Sequence, residues 1–127
     1  MSLAVEKSSI PGFLEIKIVG APGHTALVSL LTKLEAMLAT DAFFGLLVDA
    51  RDAEFPEGRS YSREAWEDTL TILNSIPIAY LKPANFEADR EVVIRAVIHE
   101  WEADVAFFTE REPAEAWCRE QCAARSA

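Results

Sequence analysis

The sequence predicts an α/β fold: a mixed, largely parallel sheet that opens on an antiparallel hairpin, in the order β-β-α-β-α-β-α-β-α. Three observations carry that expectation. Two alternating stretches flank a Pro-Gly dipeptide near the start, short and almost purely apolar runs recur downstream, and segments of helical period separate those runs. Strand and helix in alternation imply parallel neighbours joined by crossovers, with the hairpin supplying the antiparallel element.

Leu3, Val5 and Lys7 alternate with Ala4, Glu6 and Ser8, and Phe13, Glu15 and Lys17 alternate with Leu14, Ile16 and Ile18, the pattern of strands with one wet face. Between them Pro11-Gly12 suits a tight reversal. Gly20-Ala21-Pro22-Gly23 breaks the pattern, and from Thr25 to Ala39 the residues Leu27, Leu31, Leu34 and Leu38 follow helical spacing, with His24 or Thr25 as the cap. Phe43 to Val48 is an apolar run suited to a strand covered on both faces, ending at Asp49-Ala50-Arg51-Asp52. A loop with Pro56 and Gly58 leads to a second helix over 62–75, marked by Trp66, Leu70 and Leu73. Ile78 to Leu81 reads as a further buried strand. A third helix over 87–102 turns Val93, Ala96, Val97 and Trp101 inward and Glu91, Arg95 and His99 outward, where they read as surface ion pairing. Val105 to Phe108 is the last strand, and Ala114, Trp117, Cys118 and Gln121 share one face of a closing helix with Pro113 in its first turn.

The chain of 127 residues fits one domain over 1–127, which can bury a core without a disulfide framework or structural metal. With 21 acidic against 12 basic residues the net charge is −9, a field that opposes nucleic acid and anionic bilayers. No apolar run approaches the ~20 residues of a membrane helix, and Met1 to Ser9 lack the pattern of a signal peptide, so a cytoplasmic protein with no membrane insertion is expected.

The richest polar cluster is Asp49, Arg51 and Asp52, at the carboxyl end of a buried strand, where binding sites recur in α/β sheets. Two carboxylates three residues apart suit Mg²⁺ or acid–base work, and Arg51 suits an anionic ligand; the same residues also serve as turn formers and local ion pairs. His24 either meets a ligand or caps its helix. Ser60 and Ser62 precede the second helix and suit its cap. Cys118 and Cys122 lie one turn apart without a neighbouring histidine or a C-x-x-C spacing, and read as two reduced thiols. Phosphate loops, a nucleophile elbow and zinc-protease signatures are absent from the sequence, so no enzyme, cofactor or metal is expected.

The opening hairpin, the run Phe44-Gly45-Leu46-Leu47-Val48-Asp49-Ala50-Arg51-Asp52, and the tail from Ala103 to Phe108 followed by Glu112 to Trp117 resemble the SpoIIAA-like superfamily, which includes STAS domains and the lipid-binding CRAL/TRIO domains. The resemblance covers nearly the whole chain and implies the SpoIIAA-like fold. Anti-sigma-factor antagonists of that family bind a partner kinase and are switched by phosphorylation in an Asp-x-Ser/Thr segment. Here Asp49 matches the acidic position, but Arg51 stands where the hydroxyl would be, so the resemblance implies a module without that switch. A phosphate at Ser60 or Ser62 would be favoured by a helix N-terminus and opposed by Glu54, Glu57 and Glu64.

Three functions follow as expectations. The first is a non-enzymatic STAS-like regulatory or interaction module that binds a protein partner or small ligand through Asp49, Arg51, Asp52, Ser60, Ser62 and His24. The alternative is a small carrier of apolar ligands or lipids of the CRAL/TRIO type, whose cavity Phe43, Phe44, Trp66, Tyr80 and Phe107 could help to line, although a chain this short favours using such rings to fill its core. A third reading, a small enzyme pairing His24 with Asp49 or Asp52, is the one that the missing catalytic signatures disfavour. Apolar surface on the third helix and last strand also predicts self-association, with a homodimer as the simplest form.

Overall fold

A computed structural model describes residues 2–7, 10, 12–20, 24–39, 43–54, 59–73, 76–83 and 88–126; at 2–7, 24, 27, 38, 59–65, 88–90 and 125–126 it describes the backbone alone. The elements are β1 (Ser2–Lys7), β2 (Phe13–Gly20), α1 (His24–Leu38), β3 (Gly45–Ala53), α2 (Arg59–Leu73), β4 (Ile78–Leu81), α3 (Ala88–Glu100), β5 (Val105–Phe108) and α4 (Arg111–Ser126). That is the predicted order.

Five strands form one sheet in the order β1-β2-β3-β4-β5. β1 and β2 are antiparallel, and every later pair is parallel. Because strand order follows chain order, right-handed crossovers carry α1, α2 and α3 to the same face. The core agrees. Leu30, Leu31 and Leu34 of α1, Trp66, Leu70 and Leu73 of α2, and Ile94 and Val97 of α3 pack together on Leu14, Ile16, Leu46 and Ile78. The opposite face belongs to α4, whose Ala114 and Cys118 lie on Phe13, Leu47, Ala79 and Leu81. Among the described residues one helix, about 10 Å across, spans roughly two strands at ~4.8 Å spacing and covers part of this face. Lys17 of β2 is accordingly exposed.

The hairpin and β3 meet through two aromatic rings. Gly12 has φ +81°, and a Cβ there would stand 1.9 Å from the Phe44 ring. The Phe44 amide donates to the Gly12 carbonyl at 2.8 Å, and Phe44 packs edge-on to Phe13 with centroids 5.4 Å apart. Only glycine accepts both that backbone and that ring.

Three of the rings that could line a cavity or fill the core pack on one another. Trp66, Tyr80 and Phe107 have centroids 5.3, 5.7 and 6.3 Å apart, in edge or tilted arrangements, between α2 and the sheet.

Several expectations change. β3 does not end before the polar cluster but runs through it to Ala53. His24 is the first residue of α1 rather than part of the loop before it, and Ser60 and Ser62 lie in the first turn of α2 rather than ahead of it. On α3 Ile94 and Val97 are buried while Ala96 is exposed. Val92, Val93, Ile94, Ala96, Val97 and Ile98 form a nearly continuous apolar run, so the spacing leaves the phase of the helix undetermined.

Candidate functional site

The last apolar positions of β3 lead directly into Asp49, which is 3% exposed and is a buried charge on the α4 side of the sheet. Its register partners are Lys17 on β2 and Leu81 on β4. Past it the β2–β3 register slips: Lys17 faces Asp49 but Val19 faces Asp52, so β3 uses one residue more than β2 around Ala50 and Arg51. Such a bulge re-aims a side chain.

Arg51 is the side chain beside the bulge. Its Nε donates to Asp49 Oδ1 and its Nη2 to Oδ2, each at 3.0 Å, and its backbone amide donates to Oδ1 at 3.2 Å. Burial alone would raise the Asp49 carboxyl, but the bonds from the Arg51 guanidinium and amide outweigh it and hold the group below its ordinary value. The carboxylate in turn holds the Arg51 guanidinium above its ordinary value. Arg51 keeps 41% of its side chain exposed.

Arg111, the first residue of α4, joins this pair to the helix. It forks onto Glu15 of β2 through Nη1 at 3.0 Å and through Nη2, and its Nε donates to Glu115 Oε2 at 2.8 Å. Its Nη1 also lies 3.8 Å from Asp49 Oδ2. A cation at a helix N-terminus opposes the macrodipole. Here the carboxylates more than offset that, and the Glu15 bond leads in pushing the guanidinium further up. Two guanidiniums therefore stand among three carboxylates, with Arg119 3.6 Å from Glu115 at the fringe.

Both Asp49 oxygens accept from Arg51, and Oδ1 accepts twice, so Arg51 alone takes three of the roughly four acceptor sites of this buried carboxylate. The helix that His24 opens packs on the face of the sheet opposite the one Asp49 occupies. Asp52 is exposed beyond the bulge, with Glu54 close by. The side chains of His24, Ser60 and Ser62 lie outside the described residues, although the backbone places both serines at the start of α2, immediately downstream in the chain.

Cys118 is fully buried under α4, and its thiol is pushed up to about 12 chiefly by burial and then by Glu115. Cys122 is half-buried. No group of His, Cys, Asp and Glu suited to a metal occurs among the described residues.

A second polar cluster closes the other side of the sheet. Lys82, just past β4, donates to Glu91 of α3 at 2.8 Å, and Glu91 also lies 3.6 Å from Arg95. The Lys82 bond leads in holding the Glu91 carboxyl below its ordinary value. Arg95 lies 4.7 Å over the Phe107 ring, and His99 is exposed.

Asp49, Arg51 and Asp52 stand out in the sequence, whereas Arg111, Glu15 and Glu115 do not. Glu15 and Arg111 are 96 residues apart, and only the i,i+4 spacing of Arg111 and Glu115 was visible in the chain.

No family model and no curated protein sequence matches this chain. Solved structures do. The chain is similar to the anti-sigma factor antagonist SpoIIAA in its unphosphorylated form, with a TM-score of 0.62 and 14% identity over 94% of this chain and 98% of that one. It is similar to the phosphorylated Bacillus cell fate determinant SpoIIAA, with a TM-score of 0.55 and 13% identity over 99% and 100%. A DUF3478-family protein with a SpoIIAA-like fold from Shewanella loihica PV-4 gives 0.59 and 18% over 92% of each chain. The chain has the SpoIIAA-like, STAS-type α/β fold. No described helix is long and apolar enough to cross a membrane.

Proposed function

We propose that this protein is a non-enzymatic, STAS-like regulatory module that binds a protein partner through the rim formed by Arg51, Asp52 and the start of α2. The observation that carries the reading is the bidentate hold of buried Asp49 on half-exposed Arg51. A guanidinium fixed in this way presents its remaining donors with little conformational entropy left to lose on binding. Exposed Asp52 beside it gives the rim both signs of charge, which suits a polar protein surface better than a polyanion. The likeness to an anti-sigma factor antagonist, a protein that acts on another protein, points the same way.

In this reading the module works in the cytoplasm without phosphorylation of the Asp49-Ala50-Arg51 segment, because position 51 offers no hydroxyl. It also self-associates through α3, where Val92 is 67% exposed. Affinity capture with wild type and Arg51→Glu, both checked for folding by circular dichroism, tests the rim. The reading expects a protein retained by wild type and lost from the variant; equal retention by both would remove Arg51 from the interface.

A further inference from the structure

We propose that α4 is a releasable cover: it leaves the sheet as a unit while the rest of the fold persists, and Arg111 is its latch. The two faces of the sheet are held very differently. On one, three helices insert large side chains such as Leu34, Leu70 and Ile94 into a common core. On the other, α4 contributes the small side chains Ala114 and Cys118, with Trp117 half-buried beside Phe108 at a centroid distance of 6.1 Å. Less apolar surface per helix is removed from water here, so this helix detaches at lower free energy than the others.

Arg111 ties α4 to the sheet by charge: it bridges to Glu15 and lies within 3.8 Å of Asp49. Arg119 reaches only Glu115 on its own helix. Release would uncover Phe13, Leu47 and Leu81 and take Arg111 away from Asp49, leaving Arg51 as the cation that Asp49 still holds.

Cys118 reports the motion because it is fully buried beneath the helix. The test is labelling of Cys118 by an aromatic disulfide reagent in the full chain, in a Cys122→Ser background, across sub-denaturing urea, beside global unfolding followed by circular dichroism. The proposal expects labelling at least tenfold faster than global unfolding allows, with a shallower urea dependence than the global transition. Arg111→Gln should speed labelling about tenfold more than its loss of global stability explains, and Arg111→Lys, which keeps the charge without the fork, should fall between. Labelling that tracks global unfolding in both rate and urea dependence would overturn the cover. An Arg111→Gln effect no larger than its global destabilisation would overturn the latch.

Discussion

Arg51 Nε and Nη2 each lie 3.0 Å from a different oxygen of Asp49, two residues earlier on the same strand. The geometry is that of a bidentate guanidinium–carboxylate pair, with the carboxylate buried and the guanidinium at the surface. Surface pairs contribute about 0–1 kcal/mol, but stripping a buried carboxylate of its partner costs considerably more. The pair therefore acts asymmetrically: Arg51 is required by Asp49 for stability, while Asp49 is required by Arg51 for orientation.

Asp49→Asn should destabilise the fold by about 2 kcal/mol at neutral pH, the range for hydrogen bonds to charged groups. The folded-state pKa of Asp49 lies below its ordinary value, so its contribution is fully present above the unfolded pKa and is lost as pH falls through the folded one. Urea unfolding of wild type and variant should differ at pH 6 and converge in acid below the ordinary carboxyl range. A gap that persists unchanged at pH 2 would contradict the assignment.

Gly12→Ala should cost about 2–3 kcal/mol, because it combines a left-handed backbone with a forced displacement of the Phe44 ring. Thermal unfolding gives the number. A loss below half a kilocalorie would mean that the hairpin turn is not fixed as described.

The reverse change should help at the end of α3. Glu102 has φ 51°, its amide donates to His99 and that of Ala103 donates to Ile98 at 3.0 Å, the bonding of a Schellman cap with a non-glycine residue at its left-handed position. Glu102→Gly should raise stability by about 1 kcal/mol, the cost of a side chain in that region. A decrease would show that the Glu102 side chain contributes contacts worth more than the strain.

Cys118 and Cys122 should separate chemically. With the Cys118 thiol held up to about 12, iodoacetamide at pH 8 should modify Cys122 first, read by peptide mass spectrometry. Modification of Cys118 ahead of Cys122 would show that α4 is displaced most of the time.

The sequence carries the order of elements because each strand and helix announces itself by local periodicity, and the α1 leucines and the Pro-Gly hairpin are examples. It carries the site only in part. Asp49, Arg51 and Asp52 stand out as a charged cluster after an apolar run, yet a buried charge looks the same in a sequence as an exposed one. Nothing local tells that β3 continues through them. Arg111 and Glu15 meet only because α4 returns across the sheet, a tertiary event without a sequence signal. On α3 the apolar residues are too many for their spacing to choose a face, so Ile94 turns inward where the spacing also offers Ala96.

The most direct test of the account is quantitative capture from lysate by wild type, Arg51→Glu and Arg119→Glu. Arg119 is the control, since it is more exposed than Arg51 and pairs with Glu115 on its own helix. The account predicts one or more proteins retained equally by wild type and Arg119→Glu and reduced at least tenfold with Arg51→Glu. Equal retention by all three, with all three folded, would contradict it.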